Sequence, residues 1–147
     1  MMPACSSQVY NRNDEPKRSL TRHEKRFLSL DYELLYRVKE LPKAIAKFLN
    51  ERAPGIANPG EPFNSTDVIT PSLPLTQLSW AGISKDFGFV LYKQGGFAPH
   101  QVLLLIEIEK GEITRSSTLI IPYYMVDIGS LKNYILTGEA VILNKKE

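Results

Sequence analysis

The sequence predicts an α+β fold: N-terminal helices packed on one face of a four- to five-stranded antiparallel meander. Three observations predict it. Residues 76–121 read as consecutive short strands parted by turn residues. Residues 20–50 carry apolar side chains at spacings of three and four. A meander with one apolar face cannot stand in water, and this helical stretch is the material that covers it.

The helical stretch opens at Ser19 or Thr21, whose hydroxyl can accept from the free N–H groups of a first turn, and Glu24 lies three residues after Thr21 at capping-box spacing. Phe27, Leu28, Leu30, Leu34, Leu35, Val38 and Leu41 then form one buried stripe. Asp31 is an alternative cap that would divide the run in two. Pro42 breaks the helix near Leu41 and suits the first position of a new one. Ile45, Phe48 and Leu49 continue the stripe until Pro54-Gly55 stops it.

Residues 53–74 hold Pro54, Pro59, Pro62, Pro71 and Pro74 with Gly55 and Gly60, which predicts a long irregular loop with brief edge pairing at 67–70. A loop this long in a small domain is either a wrapping connection or a binding surface.

The first strand is placed at 76–83 with Leu78 and Trp80 on one face, and Ser84-Lys85-Asp86 turns the chain. The second, 87–93, sets Phe87, Phe89 and Leu91 on one side and Val90 and Tyr92 on the other. A flexible loop around Gly95-Gly96 leads to strands at 101–109 and 112–121. At the last turn, a two-residue Lys110-Gly111 loop would set Arg115 beside Ile106 on the apolar face. A three-residue loop with Gly111 left-handed would set it opposite Leu105 on the wetter face. The three-residue form is favoured, because it buries no arginine. After Pro122, Asp127 caps a helix over 128–136, Gly138 ends it, and 139–143 is a last short strand.

The 147 residues suit one domain, 19–147, preceded by a polar, unpatterned arm at 1–18 read as disordered or partner-bound. The net charge of +2 is unevenly spread: residues 1–52 hold eleven Lys/Arg against seven Asp/Glu, and the remainder seven against nine. The single cysteine, Cys5, excludes an internal disulfide. No apolar run approaches the roughly 20 residues of a spanning helix, which predicts no transmembrane segment and a cytoplasmic protein. Met-Met-Pro-Ala-Cys5 resembles the end of a bacterial lipoprotein signal. That resemblance implies a membrane-anchored lipoprotein, with Cys5 as lipid anchor, if the true start lies upstream.

Chemistry-bearing motifs are scarce. Two distant histidines and one cysteine in the arm do not make a metal site. The chain has no Gly-x-Ser-x-Gly, and Gly95-Gly96 lacks the Lys-Ser/Thr of a phosphate loop. No cofactor is implied. His23, in a basic run, reads as an exposed helix residue. His100, at a strand start after a glycine loop, is the better binding candidate. Trp80, Tyr92 and the loop-tip Phe97 are aromatic candidates for an interface, and Arg115 completes the set. Arg18, Arg22, Lys25 and Arg26 would share one helix face able to meet phosphate oxygens.

These features point to a non-enzymatic protein-binding module, a small subunit or accessory factor whose partner is another protein. One alternative is a small-ligand or enzymatic pocket between helix and sheet that uses His100, Tyr92 and Arg115. The other is a binder of non-specific nucleic acid or anionic membrane through the basic helix.

Overall fold

The computed structural model describes residues 17–96, 98–122 and 124–146, the side chains of 144–146 excepted. The arm 1–16, with Cys5, and also Phe97 and Tyr123, lie outside the described residues. Among the described residues there are three α-helices and six strands: α1 (Arg22–Ser29), β1 (Glu33–Leu35), α2 (Lys43–Arg52), β2 (Thr76–Ile83), β3 (Phe87–Gln94), β4 (His100–Glu109), β5 (Glu112–Ile121), α3 (Ile128–Leu136) and β6 (Val141–Lys146). The strands form one antiparallel sheet in chain order, β1-β2-β3-β4-β5-β6.

The fold class is as expected, but both faces of the sheet are apolar and both are covered. On one face, Phe87, Phe89, Leu91, Leu103, Leu105 and Leu119 pack with Phe27 of α1 and with Leu131 and Ile135 of α3. On the other, Leu78, Val90, Tyr92, Val102, Leu104 and Ile106 pack with Ile45 and Leu49 of α2. The molecule is therefore layered helix, sheet, helix, and not helices on one face. The cause is in β4: residues 102–106 are apolar without alternation and fully or almost fully buried. A strand of that kind needs cover on both sides.

The helix starts follow from their caps. Thr21 and Glu24 close a reciprocal capping box on α1. Pro42 occupies the N-cap of α2, and Asp127 accepts from the Ser130 N–H at 2.8 Å to start α3. Gly138 follows α3 at φ 74°, the left-handed conformation that favours glycine.

The predicted stripe from Phe27 to Leu41 is not one helix. Leu30 is extended, and the chain then enters β1, which pairs Glu33 with Ile83 and Leu35 with Ala81. Tyr32 ends the helix: its hydroxyl donates to the Phe27 carbonyl at 2.9 Å, and its ring meets Phe89 at 4.9 Å between centroids. Sheet pairing and aromatic packing outweigh helix propensity here. Asp31 caps no helix. With β6 running to Lys146, the sheet has six strands instead of four or five.

Two bulges change the expected facing of side chains. Leu78 pairs with Tyr92, but Trp80 pairs with Leu91, so one extra residue sits at Ser79. Leu78 and Trp80 consequently face opposite layers, not the same one. At the β4–β5 turn, Glu109 pairs with Glu112 across a two-residue loop, with Lys110 at φ 53° and Gly111 at φ 78°. This is the primed hairpin turn, and not the three-residue form. A bulge at Thr114 then shifts the register, so Arg115 opposes Glu107 and stays exposed. The bulge, and not the loop length, keeps the arginine out of the core.

Candidate functional site

Two groupings merit a chemical reading: a buried polar cluster under α1, and the proline-rich loop beside α2.

His23 is fully buried, against the expectation of an exposed helix residue. Its ring lies between two polar groups on the sheet: Nδ1 is in hydrogen-bond contact with Ser117 Oγ, and Nε2 is 3.0 Å from Glu107 Oε2. Arg22 Nη1 reaches the same carboxylate oxygen at 2.9 Å. The alignment of serine, imidazole and carboxylate is that of a relay. Ser117, however, is 1% exposed and His23 is 0% exposed, so α1 seals the serine from any substrate. What the cluster does in this geometry is satisfy buried polar groups and fix α1 on β4 and β5. Sequence offered a faint signal: on α1, His23 and Phe27 are four apart and share the inward stripe.

The basic face is largely spent on internal partners. Arg18 precedes the Thr21 cap, so it is not on the helix; its guanidinium clamps Glu24 with contacts of 2.8 and 2.9 Å and donates to the Ala140 carbonyl at 2.7 Å. Glu24 is the first cause of the raised Arg18 pKa. Arg22 is tied to Glu107, and the Arg26 guanidinium lies 5.3 Å from the Phe87 ring centre. Lys25 is exposed. A continuous cationic stripe is not what these residues make.

The other expected site residues that are described, Trp80, Tyr92, His100 and Arg115, do not form one cluster. Trp80 and Tyr92 are buried on opposite faces of the sheet. Burial raises the Tyr92 pKa, with the nearby Arg52 charge lowering it in part. His100 begins β4 and donates from Nδ1 to the Ala98 carbonyl at 2.8 Å, whereas Arg115 lies opposite Glu107 near the other end of that strand. Among the described residues no group of three or more His, Cys, Asp or Glu side chains could hold a metal. None of their helices is long and apolar enough to cross a membrane.

The loop after α2 is held firmly. Ala57 bridges β2 in parallel, donating to Thr76 and accepting from Leu78 at 3.0 and 2.8 Å. The expected pairing at 67–70 does not occur; the loop is braced from inside by Asn64. This side chain, 4% exposed, donates to the Thr70 and Leu73 carbonyls at 3.0 and 2.9 Å and accepts from the Thr70 N–H at 2.7 Å. The backbone of Asn64 donates to Pro74 O, and Gly95 donates to Leu75 O, each at 2.8 Å. Gly95 is required by space: a Cβ there would fall 1.7 Å from the Asn64 carbonyl oxygen.

On this frame stand apolar side chains turned to solvent. Val68 is 78% exposed, Ile69 50% and Leu75 47%. Ile69 and Leu75, with Pro54, Pro71, Arg52 and Thr76, line a groove of about 470 Å³. Arg52 is exposed, with its guanidinium 3.5 Å from the Phe48 ring centre. The Thr76 hydroxyl is buried and has no hydrogen-bond partner among the described residues. The proline content marked this loop in the sequence; the groove did not show there, because it arises from the Asn64 bracing.

Compared with family models, with curated proteins and with solved structures, the chain matches none of them.

Proposed function

We propose that this chain is a non-enzymatic protein-binding module that grips its partner with the loop 64–75 and the groove behind it. One observation carries the proposal: Val68, Ile69 and Leu75 stand out into solvent on a loop that the buried Asn64 side chain braces from inside. Exposed aliphatic groups on a frame already ordered lose little entropy on docking. Burying such a side chain fully contributes about 1.5–3 kcal/mol. Three that start about half-exposed or more supply a few kcal/mol, enough for a transient complex once a polar contact is added.

The test is photo-cross-linking in the native cells, with a benzophenone amino acid placed at position 69. The expected result is a discrete adduct that disappears when Leu75→Asp is added. The control is the same probe at position 115, on the far hairpin. Equal labelling at 69 and 115, or an adduct indifferent to Leu75→Asp, would overturn the proposal.

A further inference from the structure

Resting on that reading, we infer that the groove takes an extended segment of a partner polypeptide in which an apolar side chain is followed closely by a carboxylate. Three features of the groove select this chemistry. Its apolar wall, Pro54, Ile69, Pro71 and Leu75, fits an aliphatic or aromatic side chain and offers such a group no polar partner. At its edge, Arg52 is the one charged side chain among the described residues that line it. No ion pair holds Arg52 among the described residues. Its face is occupied by Phe48 and one Nη1–H donates to the Phe48 carbonyl at 3.4 Å, which positions the guanidinium while leaving its other donors for a carboxylate. The third feature is Thr76, a lining residue whose hydroxyl is buried without a partner among the described residues and, once a side-chain rotation turns it into the groove, can donate to a peptide carbonyl or accept from a peptide N–H.

A polypeptide suits this arrangement better than a small acid. Val68, next to the lining residue Ile69 in the chain, is also exposed, so a longer partner can reach an apolar group beyond the pocket. In an extended chain successive side chains point to opposite sides, so one anchor descends between the prolines while a neighbouring residue meets the guanidinium.

The experiment selects random heptapeptides displayed on phage against the full chain, against Arg52→Glu and against Ile69→Asp. Peptides enriched on the wild type should carry an apolar residue next to Asp or Glu. Arg52→Glu should weaken a chosen synthetic peptide about tenfold or more, and a Lys-for-Glu version of that peptide should recover binding to the variant. Thr76→Val should weaken it severalfold, with Arg52 intact. Groove-dependent peptides without acidic preference, unmoved by Arg52→Glu, would overturn this inference and leave the loop as a binding face. Failure to enrich any peptide sensitive to Ile69→Asp would overturn both. Shifts at groove amides on adding 4-phenylbutyrate, with no enriched peptide, would replace the polypeptide by a small acid and so overturn the inference as well.

Discussion

Replacing His23 by leucine tests whether the buried cluster is structural. The substitution nearly conserves volume, so the cavity term is small. It removes the hydrogen-bond partner of Ser117 Oγ, whose residue is 1% exposed. Stranding a buried hydroxyl costs about 1–3 kcal/mol. Glu107 loses the 3.0 Å imidazole contact but keeps Arg22 at 2.9 Å, and its side chain is 12% exposed, so this part is smaller. His23→Leu should therefore cost about 2–3 kcal/mol, a large share of a stability of roughly 5–15 kcal/mol. Ser117→Ala alone should cost about 1 kcal/mol, because the imidazole then loses its partner at Nδ1. The double variant strands neither group, so it should be more stable than the sum predicts by about 1–2 kcal/mol. Urea denaturation followed by circular dichroism gives all three values, provided the slope is unchanged. A His23→Leu chain within about 0.5 kcal/mol of wild type, or strict additivity in the cycle, would refute the reasoning.

Three further outcomes follow from the geometry. Gly95→Ala should destabilise by about 1–3 kcal/mol and loosen the loop, since backbone and not a flexible side chain meets the new Cβ; thermal melts and amide shifts at Asn64 read both effects. Ile69→Asp and Leu75→Asp should each leave the melting temperature within a few degrees of wild type, since exposed positions tolerate change, while Leu75→Asp abolishes the cross-link from position 69. Asp127 has its pKa held below the ordinary 3.8, chiefly by the Ser130 backbone N–H. A lowered folded pKa contributes stability above the unfolded value that is lost as pH falls through the folded one. Asp127→Asn keeps an acceptor at the cap but removes the titration, so its melting temperature should fall less than the wild type's in acid.

Much of the fold was legible where local chemistry decides it. The Thr21–Glu24 box, the Asp127 cap, Gly138 and strands β2 to β5 each rest on short-range rules. What escaped the sequence depends on partners far along the chain. The bulges at Ser79 and Thr114 are set by how neighbouring strands align, and no residue type announces them. Two-faced burial did leave a trace in the unbroken apolar run 102–106, which a one-faced sheet does not require. The site was harder. His23 looked exposed because its neighbours in sequence are basic, yet its partners Ser117 and Glu107 come from β5 and β4. The loop 53–74 was marked by its prolines, but its bracing depends on one asparagine reaching three backbone groups.

The central claim is that the loop presents its apolar groups from a rigid frame, and native-state amide hydrogen exchange measures this directly. The amides of Ala57, Asn64, Leu78 and Gly95 all donate to backbone carbonyls in or beside the loop. They should exchange slowly, with opening free energies approaching those of β3 and β4, while the N–H groups around the exposed Val68 exchange quickly. Free exchange at Asn64 and Gly95, at the rate of an unstructured peptide, would contradict the account.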